Sequence, residues 1–211
     1  GTGAASAASN SITTFAPYYM GILGISGRSS ALQGVAVNSS GDFYMSGALN
    51  VAGTSGVGEV VKYNSIGTIQ FQKGYLGDAT TFYGITIASD GSYYAGGVVN
   101  QGPTGDDIVM VKFDSSGGLI WQKILAGTYS DIAYGVAVDS SDNVYAAGQS
   151  NSTTTFTRMT LDKWNSSGTL QYQKEFTANS STTYHLAQAV KVSGNNVYIA
   201  GYGGGFSRSY E

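Results

Sequence analysis

The side chains able to do chemistry are few and scattered. His185 is the only histidine and cysteine is absent, so a metal centre of imidazoles or thiolates has no donor set within one chain. Asp42, Asp90, Asp139 and Asp142 fall in Ser/Asn/Gly-rich stretches, where a short carboxylate accepts backbone N–H groups and shapes a turn. Calcium would need about six to eight oxygens converging on one point. Asp139 and Asp142 would bring two, so turn-making is their expected role, and no metal or cofactor is expected. A glycosidase needs two carboxylates about 5–9 Å apart across a cleft; Asp106, Asp107 and Asp131 are loop candidates that nothing pairs. A sialidase would gather arginines around its acidic substrate, and Arg28, Arg158 and Arg208 are dispersed. No Ser–His–acid arrangement stands out. The chain is expected not to be an enzyme.

The elements that must position these residues announce themselves by repetition. Gly135-Val-Ala-Val-Asp-Ser-Ser-Asp-Asn-Val-Tyr-Ala-Ala-Gly148 recurs from Gly34 to Gly47, from Gly84 to Gly97 and, one residue shorter, from Ala189 to Gly201. Each copy is an alternating apolar run, a turn of small polar residues and a second apolar run, which is the pattern of a β-hairpin. Two more strands follow in each unit. Val61-Lys-Tyr-Asn64, Val111-Lys-Phe-Asp114 and Asp162-Lys-Trp-Asn165 align, as do Ile69-Gln-Phe-Gln-Lys73, Leu119-Ile-Trp-Gln-Lys123 and Leu170-Gln-Tyr-Gln-Lys174. A tight turn separates each pair, with Gly67, Gly117 and Gly168 where a positive φ is expected.

Four antiparallel strands in about 50 residues, repeated, is the plan of a β-propeller blade. In the first unit the strands are expected near 34–38, 43–47, 59–64 and 68–75. The units are read as 34–83, 84–134, 135–188 and 189–211, the last completed by 11–33, so that four blades close into a ring. Closure removes the unpaired sheet edge that each end would expose. Asn10-Ser-Ile-Thr-Thr14 parallels Asn64-Ser-Ile-Gly-Thr68, which marks residues 11–23 as the back of a unit, with a third strand for the last blade near 206–210. Residues 1–10 read as a linker or arm, and 11–211 as one all-β domain.

The hairpin Gly-Val-Ala-Val-Asp-Ser-Ser-Asp-Asn-Val-Tyr-Ala-Ala-Gly, followed by a strand ending Lys-Trp-Asn-Ser-Ser-Gly, resembles the SBBP-type β-propeller repeat family. Asp142 departs from that pattern, which has Gly there. The resemblance implies the propeller fold and a secreted, cell-surface or virion setting, and it brings no catalytic set with it.

Composition limits the partners. Charged residues make up 11% and the net charge is −3, so no basic field awaits nucleic acid or an anionic membrane. No apolar run approaches the roughly 20 residues that cross a bilayer as a helix. Six of the seven lysines occupy matched places, Lys62/73, Lys112/123 and Lys163/174, where they are expected to blunt sheet edges against aggregation. The matched aromatics Tyr63/Phe113/Trp164 and Phe71/Trp121/Tyr172 are expected between blades. Function should lie where the units differ, in the connections 48–58, 98–107, 149–157, 76–83, 126–134 and 177–188, which leave one face of the scaffold. They carry Asp78, Phe82, Asp106, Asp107, Tyr129, Asp131, Phe156, Tyr184 and His185 as candidate contacts. Tyrosine among Ser, Asn and Gly suits polar recognition of a glycan or a protein surface. An extracellular recognition or adhesion module is the expected role; the alternative is a structural subunit of a filament, phage tail or surface layer.

Overall fold

The repeat becomes a series of near-identical sheets. The computed structural model describes residues 28–51, 56–75, 79–100, 105–151, 157–176 and 184–203. The expected arm 1–10, the segment 11–23 and the strand near 206–210 lie outside them. The first antiparallel sheet runs β1 (Arg28–Val37), β2 (Phe43–Val51), β3 (Val57–Tyr63) and β4 (Ile69–Tyr75). The second is β5 (Thr80–Ile87), β6 (Tyr93–Asn100), β7 (Asp106–Phe113) and β8 (Leu119–Leu125), and the third β9 (Asp131–Val138), β10 (Val144–Asn151), β11 (Thr157–Trp164) and β12 (Leu170–Phe176). A two-stranded sheet of β13 (His185–Ser193) and β14 (Asn196–Gly203) follows. Among the described residues there is no helix.

The first strand of each sheet packs on the first strand of the next, β1 on β5, β5 on β9 and β9 on β13. The glycine that opens each repeat permits this. A Cβ on Gly34 would stand 2.8 Å from the Tyr83 carbonyl, one on Gly84 2.9 Å from the Tyr134 carbonyl, and one on Gly135 2.9 Å from the Val190 nitrogen. These glycines answer to close approach rather than to φ. The fourth copy has Ala189 instead, and it is exposed.

Between consecutive sheets lies one apolar cluster. Tyr44, Val60, Phe82, Tyr93 and Phe113 fill the first gap, Tyr94, Ile108, Met110 and Trp164 the second, and Tyr145, Leu161 and Ala187 the third. Phe71, Trp121 and Tyr172 pack against these clusters from the outer strands, as their repetition requires. Polar links run across the same gaps. The Tyr75 hydroxyl donates to the Gly117 carbonyl (2.6 Å) and the Trp121 indole to the Ser166 carbonyl (3.1 Å).

Two sequence expectations change in detail. The inner strands begin four to six residues before the repeat glycines, at Arg28, Thr80, Asp131 and His185. Each crosses a β-bulge that places one extra residue, Gln33, Tyr83, Tyr134 or Gln188, just before the repeat position. A bulge breaks the period-2 alternation, so the earlier half of the strand does not read as strand. Of the six matched lysines only Lys73, Lys123 and Lys174 lie on edge strands; Lys62, Lys112 and Lys163 lie on β3, β7 and β11, inside their sheets, and so do not blunt an edge. Lys73 donates to the Ser116 carbonyl of the next sheet at 2.8 Å, and Lys62, Lys112 and Lys163 lie 5.1, 5.2 and 4.8 Å over the rings of Tyr44, Tyr94 and Tyr145.

The tight turns follow the expected chemistry. Asn64, Asp114 and Asn165 each accept two backbone N–H groups through one side-chain oxygen. Gly67, Gly117 and Gly168 have φ of 81°, 84° and 83°. Asp142 takes a left-handed φ of 59° where the other units have Gly41 and Gly91.

Candidate functional site

The connections β2–β3, β4–β5 and their equivalents emerge at one end of the inner strands, opposite the tight turns. At that end the bulges bring Tyr83 and Tyr134 together, with ring centroids 5.2 Å apart and planes tilted by 51°. Both are half-buried. Burial pushes both hydroxyls above the usual tyrosine range, and the negative charge of nearby Asp106 adds to the effect; Tyr202 also acts on Tyr134. Asp106 is fixed from two sides. The Asn100 side-chain amide donates to it at 3.0 Å, and its own backbone N–H donates to the Ser130 hydroxyl at 3.3 Å. The result is a tilted tyrosine pair within electrostatic reach of a held carboxylate. Such a group offers aromatic area to an apolar ring face and a hydrogen-bond acceptor to hydroxyls.

The expected contact residues divide around this centre. Asp106 belongs to it. Tyr129 sits half-buried in the connection before β9, and Tyr184 is exposed, joined to Thr157 by a single parallel bridge. Asp107 and Asp131 are buried. Asp107 accepts the Gly127 N–H at 3.1 Å and Asp131 the Asn151 N–H at 3.0 Å, so both hold connections in place. Burial raises the Asp131 carboxyl, with Asp107 and Glu175 adding to it. His185 is buried at the start of β13. Phe82 is fully buried in the first interblade cluster and presents nothing to a ligand. It lies within β5 because the strand runs past the bulge into what reads as a loop. Asp78 and Phe156 lie outside the described residues. Among the described residues no cluster of three or more His, Asp or Glu could hold a metal.

Sequence reasoning did not pick out Tyr83, Tyr134 or Tyr202. The signal was there in the residue before each repeat glycine, which is Gln33, Tyr83, Tyr134 and then Gln188 before Ala189. That position varies inside an otherwise repeated frame.

At the tight-turn end a cavity of about 420 Å³ lies on the axis, lined by residues 35–37, 85–87, 136–138 and 190–192. Three successive residues come from each inner strand. Lys191 is the one charged side chain among them, where the other units have Ala36, Thr86 and Ala137.

Antiparallel four-stranded sheets, stacked through equivalent joints with their first strands around one axis, are the blades of a β-propeller. The family model of the SBBP β-propeller repeat matches residues 120–154, from the outer strand of the second blade through the hairpin of the third. No curated protein matches the chain. A protein of unknown function from Bacteroides caccae is similar in structure, with a TM-score of 0.51 at 10% identity, over 81% of this chain and 53% of that one. This chain thus spans about half the length of that relative. A eukaryotic initiation factor aligns with a TM-score of 0.43 at 10% identity, over 70% of this chain and 32% of the other.

Proposed function

We propose that this chain is a non-enzymatic recognition module that binds a glycan through the loop end of its propeller axis, on the exterior of a virion or cell. The tyrosine pair Tyr83–Tyr134, within electrostatic reach of Asp106, carries the reading. Pyranose rings present C–H faces that lie on aromatic side chains and hydroxyls that donate to carboxylates. The platform also arises at the bulge positions, where the repeat tolerates difference, on a scaffold whose matched outer-strand aromatics Phe71, Trp121 and Tyr172 serve blade packing. A glycan array probed with the intact chain tests it. Selective binding that is lost in both Tyr83→Ala and Tyr134→Ala, with melting unchanged, is the expected result.

A second reading, a structural subunit of a filament, tail or surface layer, draws on another feature. Ile69, Leu119 and Leu170 occupy matched places on the outer strands and are all exposed, forming an apolar rim of the kind that subunit contacts cover. Silence on the array together with concentration-dependent assembly would favour it.

A further inference from the structure

The inner strands meet around the axis, and what each sends there can be compared blade by blade. β1, β5, β9 and β13 are each the edge strand of their sheet, so one side of every inner strand has no ladder partner. The hairpins decide which residues turn that side to the axis. Asn38, Ala88 and Asp139 donate their backbone N–H groups across their own hairpins, to the carbonyls of Asp42, Ser92 and Asn143. Alternation then turns the N–H and C=O of Val37, Ile87 and Val138 the other way, toward the axis. On the fourth blade Ser193 pairs with Asn196 around a tight turn with Gly194 at φ 56°, which leaves Val192 facing the axis in the same manner. None of these N–H groups bonds to a neighbouring inner strand among the described residues. The cavity of about 420 Å³ at this end is therefore walled by main-chain donors and acceptors as well as by side chains.

One side chain breaks the symmetry of the wall. The middle residue of each lining triplet is Ala36, Thr86, Ala137 and then Lys191. Ala36 packs on the first interblade cluster and Ala137 is buried, so the joints keep this position small. Val190 and Val192 pack on the third cluster, and Lys191 between them points away from the third blade. On that side the packing that joins β9 to β13 is not repeated between β13 and β1 among the described residues, which leaves room for a long side chain. Lys191 is exposed. It makes no ion pair and lies over no aromatic ring among the described residues, whereas Lys62, Lys73, Lys112, Lys163 and Lys174 each lie over one. The carboxylates of the neighbouring turns are engaged elsewhere. Asp42 and Asp139 pair with Lys62 and Lys163 at 3.8 and 3.5 Å, Asp90 accepts the Ser92 N–H, and Asp142 accepts the Ser89 N–H. The one cation of the cavity thus has no anion of its own among the described residues.

We propose that the tight-turn end of the axis is a second binding site, which takes a compact hydroxylated anion such as a sugar acid or a sugar phosphate. The Lys191 ammonium attracts the acid group and donates to it. The strand edges offer both N–H donors and C=O acceptors, and a hydroxyl uses both. A neutral sugar would leave the ammonium unpaired, and a bare oxyanion such as sulfate would face carbonyl oxygens with nothing to donate to them. The volume agrees, because small-molecule sites run to about 300–1,000 Å³, far more than one oxyanion fills. This site lies at the opposite end of the axis from Tyr83 and Tyr134, and it stands whether or not they bind a glycan.

Calorimetric titration of the intact chain with glucuronate, glucose 6-phosphate, glucose and sulfate tests the proposal. Saturable binding of glucuronate or of glucose 6-phosphate is expected, and the tighter of the two identifies the acid group. Glucose and sulfate should bind at least tenfold more weakly. Lys191→Ala should weaken binding of the acid at least tenfold with melting unchanged, since the side chain is exposed. Amide NMR should then place the ligand, with the signals of Val37, Ile87, Val138 and Val192 shifting as it binds. Absence of binding by both acids would overturn the proposal, as would equal binding in Lys191→Ala, or glucose or sulfate binding as tightly as the acids. Shifts confined to Tyr83, Asp106 and Tyr134 would also overturn it, because the acid would then be a ligand of the loop end.

Discussion

At the residue scale the most exposed liability is a buried one. Asp162 stands where the other units have Val61 and Val111, facing the second blade with Trp164, and it is fully buried. Neither oxygen has a hydrogen-bond partner of normal geometry among the described residues, though Gln173, its register partner, approaches it. Burial pushes its carboxyl up to about 7, Asp131 and Glu175 push the same way, and Gln173 opposes them. A folded pKa above the unfolded value means that the native state holds a proton the unfolded chain has lost. Stability from this group is full below about pH 4 and falls as pH rises toward 7, by roughly 4 kcal/mol. Asp162→Asn should therefore raise the melting temperature at pH 7.5 and flatten the profile between pH 5 and 7; an unchanged slope in thermal melts would refute this. Below about pH 4 the trend reverses. Hydrogen bonds from Ser92 hold Asp90 low, and those from Ser116 and Gly118 hold Asp114 low.

Asp142 shows the opposite bargain. Its left-handed φ is costly for a side chain, but its carboxylate accepts the Ser89 N–H and hydroxyl of the second blade, both at 2.8 Å, and its carbonyl accepts the Tyr94 hydroxyl at 2.8 Å. Asp142→Ala keeps the strained backbone and loses the side-chain links, so it should cost about 1 kcal/mol. Asp142→Gly loses the same links but relieves the strain, and should cost less. Equal losses in denaturant titrations would mean that the φ carries no cost.

At the element scale the blade joint is set by one missing methyl group. Gly84→Ala would place a Cβ 2.9 Å from backbone atoms of the next inner strand, which cannot move without shifting a sheet. A loss of about 1–3 kcal/mol is expected, and a neutral effect in chemical denaturation would show that the joint has slack. The aromatic wedges differ by depth. Trp164→Ala empties a fully buried site and should cost about 3–5 kcal/mol. Trp121, half-buried at the outer edge of the same cluster, should cost less. The hairpins were legible because alternation and turn residues coincide within each copy. The early halves of the inner strands were not, because Gln33, Tyr83, Tyr134 and Gln188 bulge out of register, and a period-2 pattern cannot be read across a bulge.

At the scale of the whole molecule, repetition exposed the architecture and hid the site. A 50-residue period read from Gly34, Gly84, Gly135 and Ala189 implies blades, since only equivalent packing explains equivalent wedges at Tyr63, Phe113 and Trp164. The loop-end centre was half legible. Asp106 was named from its connection, but Tyr83 and Tyr134 meet through two bulges on different blades, a proximity that no single stretch of sequence contains. Phe82, Asp107 and Asp131 read as loop contacts because their stretches are polar and Gly-rich, yet Phe82 is packed in an interblade cluster and the two carboxylates are buried where they hold backbone N–H groups. The central claim is that recognition occurs at the loop end of the axis rather than at the tight turns. Hydrogen-exchange footprinting of the intact chain, with and without the glycan selected on the array, tests it most directly. Protection should appear in segments 80–84, 105–107 and 129–135. Protection confined to the turns at 38–42, 88–92 and 139–143, around the opposite end of the axis, would contradict it.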